Sequence, residues 1–408
     1  MSRLAIHGGK PVRDIRARPW PGWPPVNERR WKHHEAGFRE VYMSATEGLP
    51  RPRGKRFAKR YCDYLGTSHG LLTTCGSSAL KLALCAATDS DGLGYSGECI
   101  VPQYTFIATA HTALEMNFSV RFVDVDPETG CLDPDAFEAA ITHPTRVVVP
   151  VDILGHPADM DRINAIARKH NLAVVEDACQ AHGASYKNRK CGSLGDAGCF
   201  SFQSTKNLTS GEGGFVATDS AEIYKRIHTL HDVGRPPSGM SWDAPQLGYN
   251  YRASEYIAVL LENRLAELDA YAERRNKAAR YFDNELKSIA GLRPARVADH
   301  VTNHAWHLYP MRYDPDGFGG KSRDEFLAAL RAEGVPCSSG YDRPLSEHGG
   351  IVAVKNRHPA LIAAEPSPNT EHIGATAVWF SQTLLTADRR DLADVPQAIH
   401  RVQKAFTA

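Results

Sequence analysis

The sequence predicts an α/β protein: a large domain built on a mostly parallel sheet, followed by a smaller C-terminal α+β domain. Three observations carry this. Short apolar runs alternate with stretches of helical periodicity from about residue 55 to residue 218. The intervening helices have the length that parallel strands need for their crossovers. The chain, at 408 residues, is longer than one ordinary core supports.

The elements follow in order. Residues 18–25, Arg-Pro-Trp-Pro-Gly-Trp-Pro-Pro, form a stiff arm that cannot be helical, and its two tryptophans are expected to dock on the body. Leu71–Thr74 reads as a strand and Ser77–Ala87 as an amphipathic helix. Cys99–Pro102 and Ile107–Met116 repeat that order, and Val120–Val125 is a further strand. Strands at Val147–Leu154 and Ala173–Glu176 flank a helical pattern at Met160–His170. Cys199–Phe202 and Gly214–Thr218 complete the set. Ile257, Leu260, Leu261, Leu265 and Leu268 recur at helical spacing in one long segment, roughly 254–288, which holds the domain junction. The division expected is 1–265, with residues 1–30 as an N-terminal arm, and 266–408. Past the junction come a strand-like stretch at His304–Arg312, a helix at Ser322–Glu333 and a last helix near Leu392–Phe406. Asp314–Gly320 and 365–370 read as loops.

Composition limits the function. Hydrophobic content of 42% and charged content of 23% belong to a soluble globular chain. With 48 basic and 47 acidic residues the net charge is +1, which gives no electrostatic case for nucleic acid or an anionic membrane. Nine scattered cysteines with no C-x-x-C pair read as reduced thiols, with no zinc or other metal site expected. No run approaches the ~18 apolar residues of a membrane helix. The N-terminus lacks the apolar core of a signal peptide. A cytoplasmic protein is expected.

The chemistry concentrates at Lys206. An apolar stretch, Phe200-Ser201-Phe202, leads to it and Gly211-Glu212-Gly213-Gly214 follows it. Burying an unpartnered ammonium is costly. A lysine in that place makes sense when its amine bonds covalently to a carbonyl. Asp177 ends another apolar strand, and a Schiff-base lysine with a buried aspartate is what pyridoxal 5′-phosphate asks of a protein. In that reading Asp177 keeps the pyridine nitrogen protonated, and Lys206 serves as base and acid once displaced. Desolvation would bring its pKa from ~10.4 towards neutrality.

Other stretches are less specific alone. Cys75-Gly76-Ser77-Ser78-Ala79-Leu80 lies where a strand gives way to a helix, whose free N–H groups hold phosphate, although an ordinary N-cap serine has the same look. Tyr104 and Phe106 end a strand where an aromatic ring can stack on a flat cofactor, or can simply be core. Gln180 and His182 lie near the ring, to bond its 3-oxygen or orient Asp177; His182 is equally readable as a structural histidine. Ser201 offers its hydroxyl to the phosphate. Gly248-Tyr249-Asn250-Tyr251-Arg252 is either a ligand loop, with Asn250 a phosphate donor and Arg252 an anion contact, or a lead-in to an N-cap at Ser254. His307 and Arg235 join Arg252 and His182 as candidate substrate contacts.

Taken together, five motifs in order resemble the DegT/DnrJ/EryC1/StrS family of pyridoxal phosphate-dependent aminotransferases. They are Gly-Ser-Ser-Ala-Leu at 76–80, Pro-x-x-Thr-Phe at 102–106, Glu-Asp-Ala-Cys-Gln-Ala-His-Gly at 176–183, Ser-Phe-x-x-x-Lys with Gly-Glu-Gly-Gly at 201–214, and Gly-Tyr-Asn-Tyr-Arg at 248–252. The resemblance implies fold type I, the aspartate aminotransferase architecture, as a homodimer with shared sites. It implies Lys206 as the Schiff-base lysine and Asp177 as the pyridinium partner. Gln180 would sit by the 3-hydroxyl, Phe106 on the ring, and Ser77, Ser78 and Ser201 at the phosphate. Asn250 would reach across from the neighbouring subunit. Cys179 stands where alanine is commoner.

The residues around Lys206, the opening Leu4–Arg13 and the Trp-Pro arm look similar to the cyclitol, scyllo-inosose-type branch, which takes its amino group from L-glutamine. The expected function is amino transfer from L-glutamine or L-glutamate to a ketone of a cyclitol or sugar in natural-product biosynthesis. The alternatives are a nucleotide-linked ketosugar aminotransferase, a dehydratase or aromatising enzyme of the aminohydroxybenzoate-synthase type, and a non-enzymatic regulator. Relatives with histidine in place of the lysine are dehydratases, so Lys206 favours transamination.

Overall fold

Eight strands form the main sheet of the computed structural model, which describes residues 3–26, 28–44, 52–237 and 244–408. Their order is His69–Thr73, Gly214–Thr218, Ala197–Ser201, Ala173–Asp177, Thr145–Val148, Gly97–Pro102, Phe118–Val123 and Ile362–Ala364. The five pairings from Ala197–Ser201 through Ile362–Ala364 are parallel. Only Gly214–Thr218 runs against its two neighbours. Helices cover both faces, so the inner strands are buried on both sides and read as unbroken apolar runs. A second sheet of four antiparallel strands, Leu292–Pro294, Leu308–Tyr313, Ala377–Ser381 and Cys337–Ser338, packs against Leu268–Leu286 and Asp394–Phe406.

Local chemistry sets the helix ends. Asp159 caps Met160–His170 through the Arg162 N–H, Arg168, Lys169 and His170 line its last turn, and Asn171 closes it in the left-handed conformation. Ser322 and Glu325 form a capping box at the start of Arg323–Ala332.

Four expectations are corrected. The strand read over Val147–Leu154 ends at Val148; Ile153–Gly155 is a 3-10 turn, with Leu154 at φ 58°. The long 254–288 segment is two helices, Glu255–Leu265 and Leu268–Leu286, because the apolar spacing continues through the break. Asp314–Gly320 contains a 3-10 turn at Pro315–Phe318. The loop read at 365–370 gives way at Pro368, a favourable first-turn residue, to the helix Pro368–Thr376.

The chain passes between its two halves more than once. Ile362–Ala364 returns to the large sheet beside Phe118–Val123. Leu4, Val12 and Trp20 pack into the C-terminal core, and Arg13 is paired with Asp391 and Asp394 at 3.0 and 2.8 Å. The Pro-rich arm docks as expected. Trp20 donates its indole N–H to the Gly334 carbonyl at 2.7 Å, and Trp23 donates to the Lys206 carbonyl at 3.0 Å. Residues 1, 2 and 27 of the arm lie outside the described residues. All nine cysteines are free. No helix among the described residues is long and apolar enough to cross a membrane.

Candidate active site

Two neighbouring strands, and a third one strand further along, deliver the polar groups of the site at one end of the main sheet. Ala173–Asp177 ends on Asp177, Ala197–Ser201 ends on Ser201, and the turn that follows carries Lys206. Thr73, at the end of His69–Thr73, leads into the helix Gly76–Thr88. The open crevice at strand ends is where ligands collect in such sheets.

Asp177 is buried at 5% exposure and held by two donors. Thr109 donates its hydroxyl to Oδ2 at 2.9 Å, and the Cys179 N–H reaches Oδ1 at 3.2 Å. Both bonds fix the plane of its carboxyl group. Burial pushes the Lys206 ammonium down; Cys179 and Asp177, close by, push it back up. A desolvated amine beside a carboxylate is suited to exchanging protons near neutrality. Burial and Asp177 together raise the Cys179 thiol well above its ordinary value, so it stays protonated.

Gly76 closes the floor. A methyl group there would come within 2.7 Å of Ser201 Cβ and 3.3 Å of Cys179 Sγ, so only glycine lets this helix N-terminus sit against the strand end. Ser77 is half-buried beside it. Ser78 turns inwards: its hydroxyl is shared with Thr74 Oγ1 at 2.6 Å and Cys75 Sγ at 3.0 Å. Gln180 accepts the Leu154 N–H at 2.9 Å through Oε1, which leaves its amide N–H groups to donate. Phe106 is 55% exposed at the same rim, whereas Tyr104 is core.

These residues fit pyridoxal phosphate. A carboxylate held by two donors suits a protonated ring nitrogen, and a desolvated amine suits a carbonyl. The glycine-floored helix start with Ser77 and Ser201 beside it suits a phosphate.

The candidate substrate contacts fare differently. His182 is corrected to an internal support. It is 1% exposed, and its Nε2–H donates to the Ser201 carbonyl at 2.8 Å. Nδ1 accepts from Tyr61 at 2.9 Å, and Phe200 and Phe202 pack about the ring. Burial pushes its pKa down to about 3, and no atom remains for a substrate. His307 is buried with Nδ1 unbonded, and Lys206 lies near enough to add to the depression that burial imposes. Arg252 pairs with Asp232 at 2.6 Å, and Arg235 lies 3.9 Å from the same carboxylate, so the expected anion contact is already matched within the chain. Asn250 is exposed and bridges Asp232 through its backbone.

Sequence reading missed Thr109, whose role depends on a fold contact 68 positions away. It also missed Tyr341, which comes from the C-terminal region to lie by Gln180 and Asp177; burial pushes its phenol up to about 12.

The family model described as DegT/DnrJ/EryC1/StrS aminotransferase family matches residues 34–388. The chain belongs to that family. It is a pyridoxal phosphate-dependent aminotransferase of fold type I. It is 35% identical over 424 residues to an L-glutamine:2-deoxy-scyllo-inosose aminotransferase of Streptoalloteichus tenebrarius, with 98% of this chain and 97% of that one covered. A protein of the same description from Streptomyces fradiae is 34% identical over 427 residues, covering 98% of each chain. Among solved structures, 3-amino-5-hydroxybenzoic acid synthase superposes with a TM-score of 0.82 at 26% identity, over 95% of this chain and 99% of that one. The five ordered motifs thus led to the family.

Proposed function

We propose that this aminotransferase moves an amino group from L-glutamine or L-glutamate to a ring ketone of a cyclitol, in the making of an aminocyclitol. The likeness to full-length glutamine:scyllo-inosose aminotransferases carries the choice of donor and acceptor. In this reading Lys206 and Asp177 are the catalytic residues. Pyridoxal phosphate supplies an electron sink to the carbon that carries the amino group. Asp177, fixed by Thr109 and the Cys179 N–H, keeps the ring nitrogen positive. Lys206 takes and returns the proton, aided by its desolvation. Gly76, Ser77, Ser78 and Ser201 surround the phosphate end, Gln180 donates to the ring oxygen, and Phe106 covers the ring face. Asn250 reaches the phosphate of a second subunit in a homodimer.

Incubation with L-glutamine and a panel of ketocyclitols and nucleotide ketosugars, read by mass, tests the assignment. Gain of nitrogen on a ketocyclitol is expected. Loss of water without gain of nitrogen would select the aromatising alternative, to which the likeness to 3-amino-5-hydroxybenzoic acid synthase gives a specific basis. Lys206→Ala should lower turnover by at least ~10³-fold, because nucleophile and proton carrier disappear together. Turnover retained in that variant would remove Lys206 from the chemistry.

A further inference from the structure

A lysine side chain has four rotatable bonds, so its amine is only as well placed as its backbone. The backbone of Lys206 sits in a turn that two distant parts of the chain grip. From the N-terminal arm, the Trp23 indole N–H donates to the Lys206 carbonyl at 3.0 Å. From the C-terminal region, Gln382 donates its amide N–H to the carbonyl of Thr205. The two grips are joined. Arg275 donates Nη2 to Gln382 Oε1 at 3.0 Å, and its guanidinium lies 4.8 Å from the centre of the Trp23 ring. Tyr271 meets that ring edge-on at 5.6 Å. Beyond the lysine, Asn207 ties its side chain to the Ala305 carbonyl at 2.7 Å, and Arg264 holds the carbonyl of Thr209.

Arg275 shows that this junction is not arranged for stability alone. It is fully buried, its Nε and Nη1 have no hydrogen-bond partner, and no carboxylate pairs with it among the described residues. Burying such a cation is costly. Its one hydrogen bond goes to the residue that holds Thr205, and its face lies on the residue that holds Lys206.

We propose that Trp23 and Gln382, coupled through Arg275, are positioning residues that set the backbone of Lys206, so that the lysine faces Asp177 only when the N-terminal arm and the C-terminal region are both seated. The proposal rests on Lys206 being the cofactor-bearing lysine.

The test compares Trp23→Phe with Trp20→Phe in the full chain. Both remove one indole N–H from the same arm and keep a ring under an arginine, since Arg13 lies 3.9 Å from the Trp20 ring centre. Only Trp23 reaches Lys206. The readouts are the release rate of cofactor and the midpoint of the pH titration of the lysine-bound cofactor's visible absorbance. Borohydride trapping and peptide mass report where the cofactor is attached.

Trp23→Phe should speed release about fivefold, the effect of one hydrogen bond, and shift the titration midpoint; Trp20→Phe should change neither. Gln382→Glu, which keeps an acceptor for Arg275 but loses the donor to Thr205, should act as Trp23→Phe does. It gives the same reading should Trp23→Phe fail to fold. Unchanged release and midpoint in both Trp23→Phe and Gln382→Glu would overturn the proposal, as would an equal shift in Trp20→Phe. Trapping at a lysine other than Lys206 would instead overturn the assignment on which it rests.

Discussion

The sheet end around Lys206 and the loop around Asp232 both collect charged residues that the sequence singles out, yet they are built differently. At the sheet end Asp177 and His182 are buried, and the groups depend on one another. Thr109 and a backbone N–H hold Asp177, His182 is spent on Tyr61 and Ser201, and Lys206 lies desolvated among them. At the loop, Arg252 and Arg235 converge on a single carboxylate, and Asn250 is open to solvent. Low dielectric magnifies the bonds of the buried Asp177 and His182, whereas the half-buried pair of Arg252 and Asp232 is partly screened by water. In the proposed function, reaction chemistry belongs to the first region, and Asn250 of the second reaches a partner subunit.

The strongest way to break this contrast is Asp177→Asn. The amide keeps the shape but loses the charge that matches a protonated ring nitrogen, so turnover should fall by ~10²-fold or more with the fold retained. Steady-state rates beside a thermal melt would check it, and a near-normal rate would mean that Asp177 does not face the ring.

A smaller effect is expected from acid. His182 is neutral in the fold, with its pKa depressed to about 3, whereas an unfolded histidine titrates at ~6.5. Its contribution is therefore present above pH ~6.5 and is lost as pH falls from there towards 3, by roughly 1.4 kcal/mol per pH unit. His182→Gln should flatten denaturation midpoints across that window, and equal slopes in the two proteins would show that the imidazole is not held neutral.

The smallest change belongs to the loop. Arg252→Ala leaves Arg235 near Asp232, so stability should move by only ~1 kcal/mol or less. Cofactor release should stay as it was. A large rise in release would place Arg252 inside the cofactor site and erase the distinction between the two regions.

The sheet end was legible because its residues close apolar strands, and a strand run is readable from a short window. Lys206, Asp177 and Ser201 each follow such a run. Thr109 and Trp23 were not legible as parts of the site, because their partners lie 68 and 183 positions away and only the tertiary fold brings them in. His182 shows a different limit. Its residue type and place in the motif suit either role, and what decides is the pair of acceptor and donor on its two nitrogens. The break after Leu265 escaped notice because periodicity reports a helix's face rather than its continuity.

The three-residue strand Ile362–Ala364 has an effect on how copies of this chain meet. Without it the large sheet would end on Phe118–Val123, a six-residue, mostly apolar strand with a row of unsatisfied amides. The added strand is too short to template another chain, and Arg121, clamped between Glu98 and Glu365 at 3.0 and 2.6 Å, sets charge along the same margin. The fold thereby guards its flank against edge-to-edge aggregation.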